Sequence, residues 1–81
     1  MATEFRKSSH RREFADSSNG DRWFLCREDE TGIPYVSHVA NEPSGGRVSR
    51  VDIPRFLIRT MGSPEHDALL RLIGSLVEAP I

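Results

Sequence analysis

The run from Ser63 to Pro80, SPEHDALLRLIGSLVEAP, constrains the fold most, because it has the pattern of an amphipathic helix. Ser63 is a typical N-cap, Pro64 takes the first helical position, and Pro80 ends the pattern. A helix with one apolar stripe has to cover a second apolar surface, which the rest of the chain must supply. The stripe follows the i, i+3, i+4, i+7 rule and consists of Leu69, Leu72, Ile73 and Leu76.

Gly74 lies inside this helical pattern. A glycine there either ends the helix early or belongs to a helix that continues. We expect the helix to continue, because Leu76 and Val77 keep the period, and we expect Gly74 to mark close packing.

Three segments before this helix have the character of β-strands. RWFLCRE (22–28) is rich in residues that favour strands, and it is apolar on both faces, as in a strand at least partly covered on both sides. IPYVSHVA (33–40) alternates between two faces, and RVSRVDI (47–53) is a shorter third strand. The two faces of the second segment are Tyr35, Ser37 and Val39, and Val36, His38 and Ala40.

A short helix should follow the third strand, with Asp52 as its N-cap and Pro54 in its first turn. The sequence therefore predicts an α+β fold: a three-stranded antiparallel β-meander followed by two C-terminal helices packed on the sheet. We assign residues 19–79 to a single small α+β domain. Residues 1–18 hold few apolar side chains, and we predict a disordered or frayed N-terminal tail there.

Composition limits the classes of function that fit this chain. Its 81 residues make at most one domain with a marginal core, and its single cysteine excludes an intramolecular disulfide, which is typical of a cytoplasmic protein. No apolar run has the length of a membrane span, and the first residues lack the apolar segment of a secretory signal. Eleven Lys and Arg against twelve Asp and Glu argue against a nucleic-acid binder.

The loop NEPSGGRVS, Asn41 to Ser49, raises the question of phosphate binding. A P-loop needs a lysine and a following helix, and this run has neither. A smaller anion nest remains as a hypothesis, formed by the backbone N–H groups of Gly45 and Gly46 with Arg47. The alternative, which we favour, is a connection between strands that needs positive φ.

Two further sets of side chains were weighed as sites. Cys26, His38 and His66 have no close-pair spacing, so we expect no metal, no cofactor and no catalytic residues; Cys26 should be a small buried hydrophobe. An aromatic and basic set on the strands would suit single-stranded nucleic acid, although neighbouring acidic residues oppose it. That set is Arg22, Trp23, Phe24, Arg27, Tyr35, Arg47 and Arg50.

The apolar stripe of the C-terminal helix is wide for so small a fold. Leu70, Val77 and Ile81 are left over once the stripe covers the sheet, and they form a candidate interaction surface. The alternative is that the preceding short helix covers them. Self-association through this surface would supply apolar burial that the domain lacks.

The segments NGDRWFLCRE, NEPSGG, PRFLIR and PEHDALLRLIGSLV together resemble a family of short uncharacterised alphaproteobacterial proteins, over residues 17 to 77. The resemblance implies a compact bacterial domain and carries no known activity. From the residues we expect a non-enzymatic cytoplasmic protein-interaction or binding module, which acts on a protein partner or on a second copy of itself and not on a membrane. The alternative function is a weak nucleic-acid-binding domain that uses the arginine-bearing strands.

Overall fold

The computed structural model describes residues 11–78, with side chains through Leu76, and it combines a four-stranded antiparallel sheet with two helices. The strands are paired in their order along the chain. They are β1 (Arg11–Asp16), β2 (Arg22–Arg27), β3 (Pro34–Val39) and β4 (Val48–Asp52). The helices are α1 (Ile53–Arg59) and α2 (Pro64–Glu78). The predicted α+β class is therefore confirmed.

The predicted number of strands is wrong by one, because β1 lies in the stretch that we predicted to be a disordered tail. Its pattern is hard to read, since a β-bulge between Glu13 and Ala15 breaks the alternation. The strand is held by its pairing with β2 and by Phe14, whose ring meets the edge of Phe56 at a centroid distance of 5.8 Å. Tertiary contacts therefore define this strand.

The core lies between one face of the sheet and the two helices. Leu25, Val36 and Val51 stand opposite one another on β2, β3 and β4, so their side chains share the helix-covered face. Val36 is fully buried there with Phe56 of α1 and Leu69 of α2. Partly buried side chains complete this cluster: Phe14, Trp23, Leu25, Val51, Ile53, Leu57 and Ile73.

Both helices begin at the predicted caps. The Asp52 carboxylate accepts a hydrogen bond from the Arg55 N–H at 2.8 Å, and the Ser63 hydroxyl accepts one from the His66 N–H at 3.3 Å. Helix α2 passes Gly74 without a break, as expected. The expected close packing is wrong, since a Cβ added at Gly74 would meet no atom within 4 Å.

A polar network joins the two turns at one end of the sheet. The Asp21 carboxylate accepts a hydrogen bond from the Asn41 N–H at 2.8 Å and lies 3.2 Å from Nε2 of His38. The Asn41 side chain in turn donates to the Asn19 carbonyl at 2.9 Å. The β1–β2 turn is thereby fixed to the β3–β4 connection.

Candidate functional site

The face of the sheet opposite the helices is the main candidate site, because within residues 11–78 no second layer covers it. Arg22, Phe24 and Cys26 of β2 point to this face, and two of them are nevertheless buried: Phe24 is 5% exposed and Cys26 is 8% exposed. Tyr35 of β3 lies beside Cys26 in the register. An aromatic ring and a thiol on an open face need some other cover.

Arginine side chains cover the aromatic rings of this face. The guanidinium carbon of Arg11 lies 3.9 Å from the centroid of the Phe24 ring, and that of Arg22 lies 5.2 Å from the same centroid. Arg50 stacks on Tyr35 at 3.7 Å. Guanidinium groups are attracted to aromatic faces, and their aliphatic stems cover apolar surface while the charge stays in water. We call this surface the arginine face, and it comprises Arg11, Arg22, Phe24, Cys26, Tyr35 and Arg50.

Two glutamates orient the arginines. Arg22 donates to both carboxylate oxygens of Glu13, at 3.1 and 2.8 Å, and Arg50 donates to Glu28 at 2.8 Å. The hydrogen bond from Arg22 holds the pKa of Glu13 below its ordinary value, and the same bond raises the pKa of Arg22. Because these pairs are exposed, they fix side-chain directions more than they stabilise the fold.

Cys26 lies at the centre of the arginine face but is not poised as a nucleophile. Burial raises the pKa of its thiol, against the opposing effects of a hydrogen bond with Tyr35 and of the charges on Arg11 and Arg50. Burial likewise raises the pKa of Tyr35. Both groups are therefore neutral at physiological pH, and the thiolate that nucleophilic chemistry requires is scarce.

We expect Cys26 to react with iodoacetamide more slowly in the native protein than in urea-unfolded protein at the same pH. The raised pKa also stabilises the fold below the ordinary thiol pKa of about 8.5, and this contribution is lost as the pH rises above that value. The rate at which iodoacetamide alkylates Cys26 is measured by mass spectrometry of quenched samples across pH 7 to 10. Equal native and unfolded rates would contradict the burial of the thiol, and Cys26→Ala provides the unlabelled control.

The structure places the members of the predicted aromatic and basic set on different faces of the sheet. Phe24 and Tyr35 share the open face with Arg22 and Arg50, as the nucleic-acid hypothesis requires. Trp23 lies on the helix-covered face instead.

There the Trp23 ring stacks on His38, with centroids 4.9 Å apart and planes 10° apart. Arg27 emerges on the same side as Trp23 by strand alternation, and Arg47 precedes β4 in the connecting loop. Sequence reasoning missed Arg11 altogether, because its place on Phe24 depends on β1.

The Gly45–Gly46 loop is a turn, and the anion nest is not supported. The φ angles of Gly45 and Gly46 are 96° and 60°, in the left-handed region that was expected for a connection. The Gly45 N–H donates to the Glu42 carbonyl at 2.8 Å, and the Gly46 N–H donates to the Asn41 carbonyl at 2.9 Å. Both amides are therefore already used, which leaves Arg47 without the partners that an anion site would need.

Cys26, His38 and His66 are not brought together. Cys26 and His38 lie on opposite faces of the sheet, while Nδ1 of His66 is 3.1 Å from the Leu57 carbonyl oxygen. In the described part of the chain, no three His, Cys, Asp or Glu side chains are placed to hold a metal ion. No helix of that part is long and apolar enough to cross a membrane.

The predicted interaction surface on the C-terminal helix is described only at Leu70, which is 46% exposed. The side chain of Val77 and the whole of Ile81 lie outside the described residues. Ile58 and Met61 are also exposed apolar side chains in the helical layer. Helix α1 therefore does not cover Leu70 completely.

Known proteins give no independent indication of which surface is used. No protein-family profile, curated protein or solved structure matches this chain, so its function has to be inferred from the geometry of the arginine face.

Proposed function

We propose that this protein is a non-enzymatic cytoplasmic interaction module that forms a homodimer through its arginine face. The observation that carries the proposal is the sheet face opposite the helices: Phe24 and Cys26 are buried there, Arg11 and Arg22 lie over the Phe24 ring, and no second layer of residues 11–78 covers the face. Small domains are built from two or more packed layers. The helices cover one face of the sheet, and a second copy would cover the other face by sheet-on-sheet packing. The lone cysteine supports a reducing compartment.

The charges on this face favour a second copy as the partner. Arg22 and Arg50 lie beside Glu13 and Glu28, so the face carries both signs. An interface around a two-fold axis brings the same patch of both subunits together, and a patch of mixed charge can complement itself. The domain also has reason to dimerise, because a chain of this length has a marginal core and subunit association stabilises the folded state.

The edge of the arginine face provides a direct test. Val48 of β4 pairs with Val39 of β3, and Val39 pairs with Arg22 of β2. The three side chains therefore lie on the open face of the sheet, where Val48 is 64% exposed. We expect Val48→Glu to convert a dimer into a monomer, because it buries an unpaired carboxylate in the interface. Light scattering at micromolar protein concentration measures the mass.

Ile58→Glu is the matched control, since Ile58 is 72% exposed but lies on α1, on the helical side of the molecule. We expect this variant to remain a dimer. A monomeric wild-type protein would overturn the proposal. If Ile58→Glu dissociates the dimer and Val48→Glu does not, the interface lies on the helical layer, where Leu70 is exposed.

A weak nucleic-acid-binding domain is the second candidate, because two aromatic rings and three arginines share the open face. Glu13 and Glu28 oppose it, since they occupy the guanidinium groups and repel a phosphate backbone. Fluorescence anisotropy with single-stranded RNA at low salt separates the two candidates. We expect a flat titration, whereas binding that Arg50→Gln removes would support the nucleic-acid function.

A further inference from the structure

A groove of about 660 Å³ lies between the last turns of α2 and the end of the sheet where β1 begins and β2 ends. Leu25 of β2 and Ile73 and Leu76 of α2 form its apolar wall. Leu76 is 49% exposed, so the apolar stripe of the helix continues beyond the surface that the sheet covers. The volume is within the range of small-molecule sites.

Three arginines are the charged residues among those that line the groove in the described part of the chain. Arg12 stands opposite Leu25 in the register, and Arg27 is two residues beyond Leu25, so both emerge on the helix-covered side. Arg11 borders the groove where it meets the arginine face. No carboxylate is among the described residues that line the groove.

Among residues 11–76, the ion pairs between arginines and carboxylates are Arg22–Glu13 and Arg50–Glu28, and neither involves Arg12 or Arg27. Glu28 follows Arg27 in the chain, but its carboxylate is held by Arg50. Within residues 11–76, the groove combines an apolar wall with two guanidinium groups that form no ion pair, and this combination complements a molecule that carries an alkyl chain and one anionic head. Guanidinium groups bind carboxylates with strong, directional hydrogen bonds.

We propose that this groove binds an alkyl carboxylate of the fatty-acid class. The alkyl chain lies against Leu25, Ile73 and Leu76, and the carboxylate lies between Arg12 and Arg27. The groove opens between α2 and the sheet, and it adjoins the dimer interface of the proposed function, since Arg11 and Cys26 line both.

Amide NMR spectra of the full chain, titrated with monomeric decanoate, test this site. We expect saturable shifts at Leu25, Arg27, Ile73 and Leu76. Acetate lacks the long alkyl chain, and 1-decanol lacks the charge. Each should bind at least about tenfold more weakly than decanoate, because each loses one of the two interactions.

Two matched pairs of variants locate the ligand. Arg27→Gln should weaken decanoate binding about tenfold, while Arg47→Gln, at the opposite end of the sheet, should leave it unchanged. Leu76→Gln should also weaken binding, whereas Leu70→Gln, on the same helix and of similar exposure, should not.

Four outcomes would overturn the proposal. Equal binding of acetate would reduce the site to an anion contact, and equal binding of 1-decanol would reduce it to an apolar surface. Binding to anionic phospholipid vesicles without binding of free decanoate would assign the groove to a membrane surface. Absence of saturable shifts would exclude the site.

Discussion

Leu69→Ala is expected to lower the free energy of unfolding by about 2–5 kcal/mol, the range for truncating a buried leucine. Leu69 is 0% exposed and lies in the cluster that joins α2 to Val36 of the sheet and Phe56 of α1. Removing its side chain leaves a cavity where both helices meet the sheet. Since small domains have total stabilities of only about 5–15 kcal/mol or less, this variant should be largely unfolded on moderate warming.

Urea unfolding followed by Trp23 fluorescence and circular dichroism measures this loss at a fixed protein concentration, because dimerisation would add to the apparent stability. Leu70→Ala is the matched control on the next residue of the same helix. Leu70 is largely exposed, so its truncation should change the unfolding free energy by about 0.5 kcal/mol or less. Equal losses in the two variants would mean that α2 does not present Leu69 to the sheet.

Asp21→Ala is expected to cost about 1–3 kcal/mol, because it removes the acceptor of the half-buried Asn41 N–H and the partner of His38. Asp21→Asn should recover part of the loss, since an amide oxygen can still accept from Asn41. Asp16→Ala removes an exposed carboxylate at the end of β1 and should be nearly neutral.

Amide hydrogen exchange gives a second measurement for the same series. Loss of Asp21 should increase exchange at Asn41 and in the adjoining turns more than in the centre of β2, because the network fixes those turns to each other. Uniform acceleration across the sheet would show that Asp21 supports global stability and not the connection.

Most of the fold could be predicted from residue patterns. In three strands, apolar and polar residues alternate or the apolar residues are continuous, and in α2 the apolar residues recur every 3.6 residues. Each of these elements is therefore recognisable from its own sequence. β1 does not, because its bulge shifts the alternation and Phe14 is its only large apolar residue. The bulge is recognisable only when the partner strand is known, and no local pattern carries that information.

The candidate site was predictable only in part. Trp23 and Phe24 are neighbours on one strand, so alternation alone could have assigned them to opposite faces. The stack of Arg11 on Phe24 was beyond reach, because it depends on the register of β1 against β2. The burial of Cys26 was expected, but the stacking of arginines on Phe24 and Tyr35 was not, since arginine in a sequence usually indicates a solvated side chain.

The bulge in β1 bears on how the sheet could pair with another molecule. A bulged outer strand is a poor template for a strand from another molecule, so we expect little growth from this edge of the described sheet. β4 forms the other edge, pairs with β3 in a regular register and has no such distortion. Its protection rests on its length of five residues and on the charges of Arg50 and Asp52. The β4 edge is therefore the less protected of the two, and we expect substitutions that neutralise Arg50 and Asp52 to make it a template for strands from other molecules.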